Sequence, residues 1–140
     1  MTLEEIQREV VAEFDALDDW LVKYEHLIRL GKALPKRGAD FRNRANSMAG
    51  CQSRVWLSAR LNDGTLDYAA DSDAAITRGI LALLLRILDG RPPCEIANAD
   101  LFFVEEIGVK THLSPARANG FGTMLKRMQA LAAEYCDQDT

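Results

Sequence analysis

Residues 55–76 read VWLSARLNDGTLDYAADSDAAI, and three changes of period occur inside this one stretch. Val55, Leu57, Ala59 and Leu61 alternate with Trp56, Ser58 and Arg60, the period of a half-buried strand whose apolar set faces a core. Asn62-Asp63-Gly64 is a hairpin signal, because Gly accepts positive φ without steric cost. Leu66, Tyr68 and Ala70 then alternate again, so an antiparallel pair is expected. Asp71-Ser72-Asp73 supplies short polar side chains of the kind that cap helices. From Ala74 to Leu88 the apolar residues spread over more than half of a helical circumference, which predicts a buried helix covering the sheet. Gly90 closes it.

Working outward, Leu3, Ile6, Val10, Phe14 and Leu17 recur at helical spacing. A second helix, capped by Asp18, carries Trp20, Tyr24, Leu27, Ile28 and Leu34 inward and stops before Pro35. Residues 35–50 have little apolar content and read as a long loop, the kind of segment that often carries function. Pro92-Pro93 opens a short helical turn through Ile96, and Leu101 to Ile107 is a second short piece. Ser114-Pro115 is an N-cap followed by Pro at the first helical position. The last helix has a stripe of Phe121, Met124, Leu125, Met128, Leu131 and Tyr135. The fold class is α+β: one domain, residues 1–140, with a small antiparallel sheet packed against several helices. A third strand is not legible.

The chain has 140 residues, 48% hydrophobic and 27% charged, enough to build a core without metals or cross-links. A net charge of −4 argues against broad nucleic-acid binding. The start, Met1-Thr2-Leu3-Glu4-Glu5, lacks a basic region followed by an apolar one, and no apolar run approaches a bilayer span, so no membrane association and a cytoplasmic location are expected. Cys51, Cys94 and Cys136 are odd in number and widely spaced, with no CxxC. That pattern favours free thiols in a reducing compartment over a disulfide framework or a zinc site.

Cys51 stands apart because it sits between Gly50 and Gln52, at a corner where the loop becomes a strand. Carried back from Val55, the strand period puts positions 51 and 53 on the core face. An inward thiol beside a loop suits a sheltered sulfur that is exposed on docking, and burial lowers its resting reactivity. The competing reading is a small buried hydrophobe, the ordinary use of a free cysteine.

Four blocks, WLVKYEHLIRLGKALP (20–35), GCQSRVWL (50–57), DSDAAITRGILALLL (71–85) and HLSPARANGFGTML (112–125), resemble the SufE family of sulfur acceptors in iron–sulfur cluster assembly, which includes the related CsdE proteins. The resemblance runs from about Asp19 to Met128. It implies a fold like that of the IscU-type scaffolds. It also implies a partner, a pyridoxal-phosphate-dependent cysteine desulfurase of the SufS or CsdA kind, whose persulfide sulfur passes to the cysteine of the GCQS motif, here Cys51. The sulfur then goes to a downstream iron–sulfur scaffold. No cofactor or metal is implied on this chain, and no stand-alone reaction.

Other residues carry two readings each. Arg117 matches the Arg of the family's HLxPxR segment and lies in a first helical turn, where the dipole disfavours a cation; it either supports Cys51 or is solvated. His112 either carries a proton near the thiol or is structural. Gln52 and Ser53 can donate to a sulfur anion or tie down the loop. Arg42 and Arg44 can meet an acidic partner rim or lie in water. Trp56, on the other strand face, anchors a partner or packs under a helix. Asp71 and Asp73 cap the central helix or position the Cys51 loop. Cys94 and Cys136 fall outside the motif and read as incidental. The alternative function is an iron–sulfur scaffold or metal-binding protein, which needs several ligands to converge.

Overall fold

The structure, a computed structural model, describes residues 1–48 and 53–138. Helix α1 (Leu3–Asp15) opens with a reciprocal capping box: the Glu5 amide donates to Thr2 Oγ1, and the Thr2 amide donates to the Glu5 carboxylate. Helix α2 (Trp20–Lys32) is capped one residue later than expected. Asp19, not Asp18, accepts the Val22 amide at 3.0 Å, because its backbone is the extended one that a cap requires. The loop that follows ends in a short strand β1 (Ser47–Met48), the strand the periodicity could not reveal. Two residues are too few to display a period.

Strands β2 (Val55–Asn62) and β3 (Thr65–Ser72) form the expected hairpin, with Asn62 opposite Thr65 and Val55 opposite Ser72. Its turn has positive φ at both Asp63 and Gly64, the mirror-image geometry that matches strand twist. The sheet is antiparallel throughout, in the order β1-β2-β3. Its inner face supplies Val55, Leu57, Leu66, Tyr68 and Ala70 to the core, while Leu61, at the hairpin end, is 38% exposed. Strand β2 begins at Val55, so the alternation that placed residue 51 on the core face stops short of it.

Helix α3 (Ala75–Leu88) is the central element, with Ile80, Leu81, Leu83, Leu84, Ile87 and Leu88 all buried. Neither Asp71 nor Asp73 caps it. Its N-cap is Ala74, which has no side-chain cap; Ser72 Oγ instead accepts the Ala74 amide. Both carboxylates are engaged by arginines. Helices α2 and α3 cross at Gly31 and Gly79 so closely that a Cβ on Gly79 would lie 2.1 Å from the Leu27 carbonyl oxygen. Glu13 of α1 joins these helices, accepting from both His26 and Arg86. Burial would raise its pKa, but those hydrogen bonds and charges hold it below the ordinary value.

Short helices α4 (Pro93–Ala97), α5 (Phe103–Ile107) and α6 (Val109–His112) lead to the long helix α7 (Pro115–Gln138), where Ser114 Oγ accepts the Arg117 amide as the sequence predicts. Phe121, Met124, Met128 and Ala132 of α7 close the core.

The cysteine expectation needs correcting. Cys94 and Cys136 are not free thiols: they form a disulfide with their Cα atoms 4.8 Å apart. Helix α4 packs on the C-terminal half of α7, which brings together residues separated by 42 positions, and no spacing rule reveals such a pair. The pair also removes the free-thiol argument for a reducing compartment. Among the described residues no helix is long and apolar enough to cross a membrane.

Candidate functional site

Strands β1 and β2 are antiparallel neighbours, with Met48 opposite Val55. Their connection is therefore residues 49–54, and it contains Cys51. Gly50, Cys51 and Gln52 lie outside the described residues; the geometry of the site is that of its two anchors and its surroundings.

The downstream anchor is Arg54. Its amide donates to Asp73 Oδ1 at 3.1 Å and its Nε to Asp73 Oδ2 at 3.2 Å. Its carbonyl oxygen accepts Ser72 Oγ at 2.7 Å and the Asp73 amide at 3.4 Å. Four contacts thus fix the last residue of the connection. Ser53, one residue closer, accepts the Thr77 hydroxyl at 3.4 Å.

The upstream anchor is the loop 33–46. Asp71, fully buried on the outer side of β3, accepts Arg42 Nε at 2.9 Å, the Ser72 amide at 2.9 Å and Arg78. Arg78 also donates to the Leu34 carbonyl oxygen at 2.6 Å, so the first and middle parts of the loop meet at one carboxylate. Burial pushes the Asp71 pKa up, yet the hydrogen bonds from Arg42 and Ser72 and the charges of Arg42 and Arg78 outweigh it and hold the carboxyl below its ordinary value. The loop then joins the sheet: Asn46 Nδ2 donates to the Phe41 carbonyl oxygen, and the Leu57 amide donates to the Asn46 carbonyl oxygen at 2.8 Å.

Trp56 is on the non-core face of β2, as its register requires, and yet only 6% exposed. The Arg42 and Arg54 guanidinium groups lie over its ring, 4.8 Å and 5.5 Å from the centroid. It packs under two arginines, not under a helix, and it links the two anchors. Arg44 is exposed, with its carbonyl oxygen accepting the Ser47 amide.

Beside the connection is a narrow cavity of about 10 Å³, lined by Ser53, Thr77, Ile80, Ala116, Arg117, Gly120 and Met124. Helix α7 therefore brings Arg117 to the same cavity as Ser53, from 64 positions away in sequence. Its walls are mostly apolar apart from a hydroxyl pair and one guanidinium. His112 is not among the lining residues: its ring stacks on Trp20 at 4.5 Å, and its carbonyl oxygen accepts the Tyr24 hydroxyl. A larger groove, about 820 Å³, runs along another face of α7 past Pro115, Asn119 and Lys126, and no cysteine lines it. Among the described residues no group of three His, Cys, Asp or Glu side chains is arranged to hold a metal.

Sequence reasoning placed Ser53, Trp56, Arg42, Asp73 and Arg117, and the structure brings all five around the ends of the 49–54 connection. It missed Thr77, Arg78 and Met124, and it weighed Asp71 as a cap of the central helix or as a residue that positions the Cys51 loop. The one signal for Asp71 was its register opposite Trp56, which puts it on the outer sheet face that the basic loop must cover.

A family model described as "SufE: Fe-S metabolism associated domain" matches residues 8–132. An uncharacterized SufE-like protein of Rhizobium etli is 38% identical over 126 residues, spanning 86% of this chain and 85% of its own length. SufE-like protein 1, chloroplastic/mitochondrial, of Arabidopsis thaliana is 39% identical over 126 residues, which are 89% of this chain and 34% of that longer protein. The solution structure of a hypothetical protein from Thermus thermophilus superposes with a TM-score of 0.75 at 18% identity, over 92% of this chain and 94% of that one, and shares the fold. The chain accordingly belongs to the SufE family, proteins associated with Fe–S metabolism.

Proposed function

We propose that Cys51 is a sulfur acceptor: it takes the outer sulfur of a persulfide held by a pyridoxal-phosphate-dependent cysteine desulfurase, stimulates that enzyme, and passes the sulfur toward an iron–sulfur scaffold. The observation that carries this reading is the anchoring of the 49–54 connection. Asp71 and Asp73 fasten its two ends through arginines, and the cysteine falls between them in sequence. Fixed ends with a short span between them let a thiol be sheltered at rest and presented on docking, without unfolding the sheet.

In the transfer the Cys51 thiolate attacks the outer sulfur in line, the donor S–S bond breaks, and the donor cysteine leaves as its thiolate. The exchange is redox-neutral, and its rate follows thiolate fraction and access. Arg117 lines the cavity beside Ser53, where a guanidinium charge favours the thiolate. We assign it that supporting part. Gln52, Ser53, Arg42 and Arg44 belong to the docking face in this reading, the setting is cytoplasmic, and onward transfer of the outer sulfur to an acceptor thiolate releases Cys51 as its thiolate. Release of sulfide from cysteine by the desulfurase tests the proposal: the parent chain raises the rate and Cys51→Ser does not. Full stimulation by Cys51→Ser would refute it.

The scaffold reading requires a second thiolate near Cys51. Cys94 and Cys136 are bonded to each other, so neither has a thiolate to offer. That observation favours the acceptor.

A further inference from the structure

The outer face of the β2–β3 hairpin is covered over only part of its length. Next to the Cys51 connection, Arg42 roofs Trp56 and reaches Asp71. Toward the hairpin the face is open, a groove of about 400 Å³ between Arg37 and Phe41 on the loop side and Ser58, Arg60, Asp67 and Ala69 on the sheet. Ser58 and Ala69, paired across the strands, make a floor of small side chains.

Charge in this groove is unbalanced. The Arg37 guanidinium lies over the Phe41 ring at 5.3 Å, and its Nε is buried with no hydrogen-bond partner. Arg60 forms no ion pair among the described residues, although Asp67 stands opposite it in register. Asp67 is turned instead to Asn62, whose Nδ2 donates to it at 3.1 Å. Two guanidinium groups thus face one carboxylate that is already engaged. Of the arginines nearer Cys51, Arg42, Arg54 and Arg78 are paired with carboxylates. A buried N–H without an acceptor costs free energy, and a guanidinium fork matches a carboxylate better than any other side chain.

Resting on the acceptor function above, we propose that this groove is a second attachment point for the sulfur-donating enzyme and takes an acidic side chain from its surface, between Arg37 and Arg60. Distance permits it. Arg60 is six positions along the chain from Arg54, about 20 Å at strand rise, and a standard interface of about 800 Å² per partner covers both. The groove then fixes the partner's orientation while Cys51 reaches its persulfide.

The test uses the full chain with Arg37→Glu and Arg60→Glu, separately and together, and Ser58→Trp, which fills the floor without changing charge. Two readouts are taken: loading of Cys51 by glutathione persulfide, and the Kd for the desulfurase across a range of salt. The inference expects parent-like loading from the small donor in every variant. It also expects binding to the enzyme weakened about tenfold or more by the double reversal, with a shallower salt dependence. Ser58→Trp weakens binding too, and Arg37→Lys with Arg60→Lys recovers part of it. Parent-like Kd values in all variants overturn the inference and leave the acceptor function intact. Occupation of the groove by inorganic phosphate, with no change in Kd, overturns it as well. A parent chain that neither loads Cys51 nor binds the enzyme sinks the acceptor function and this inference with it.

Discussion

Asp73 and Asp71 have the same side chain and opposite energetics. Asp73 is exposed and pairs with a largely solvated Arg54, so its worth to global stability is below about 1 kcal/mol. Its effect is local, on the residue that ends the Cys51 connection. Asp73→Ala is expected to leave the melting temperature nearly unchanged and to speed alkylation of Cys51 by iodoacetamide severalfold; equal rates would show that Asp73 does not restrain the connection. Asp71 is buried between two guanidinium groups, and removing its charge strands both. Asp71→Asn is expected to cost about 3 kcal/mol or more, read from denaturant midpoints. The pH dependence has a definite sign. A carboxyl whose folded pKa lies below its unfolded value contributes stability that is fully present above the ordinary value of 3.8 and is lost as pH falls below it through the depressed folded value. Acid titration of the parent therefore shows a larger loss of stability below about pH 4 than Asp71→Asn does, the remainder in the variant coming from other depressed carboxyls such as Glu13. The sequence offers both carboxylates the same two readings, capping the central helix or positioning the Cys51 loop, and does not separate Asp71 from Asp73. Both share the outer-face parity; Asp71 lies within β3 and is covered by Arg42, while Asp73 lies just past the strand's end at Ser72.

Among the elements, periodicity served well where segments were long. The β2–β3 hairpin, α3 and α7 were readable because eight or more residues displayed a period and Asn62-Asp63-Gly64 or Ser114-Pro115 marked the ends. Strand β1 was hidden by its two-residue length, and the cap of α2 was misplaced by one because Asp18 and Asp19 are equally good caps until the backbone chooses. The α2–α3 crossing was hidden for another reason: Gly31 and Gly79 inside helical patterns look like weak points, and only their meeting shows their use. Helical Gly→Ala changes ordinarily stabilise, by up to about 1 kcal/mol. Gly79→Ala is expected to do the opposite, lowering stability by about 2 kcal/mol or more because its methyl overlaps the Leu27 carbonyl. Thermal unfolding measures it, and a stabilised variant would mean that the two helices are not in backbone contact.

For the molecule as a whole, the fold class followed from the sequence, but the tie between α4 and α7 did not, since Cys94 and Cys136 become neighbours only through packing. A disulfide closing a loop of 42 residues contributes about 4 kcal/mol in the chain-entropy account. The Cys94→Ser, Cys136→Ser pair is expected to lower the denaturant midpoint accordingly, as is a dithiol reductant added to the parent. Sulfur uptake at Cys51 should persist in the double variant under native conditions, because the tie lies at the far end of α7 from the Arg117 cavity. The measurement that bears most directly on the whole account is the intact mass of the chain after incubation with a cysteine desulfurase and cysteine. The account predicts a gain of one sulfur atom, located on Cys51 and absent from Cys51→Ser. An unchanged mass, or an added sulfur on another residue, contradicts it.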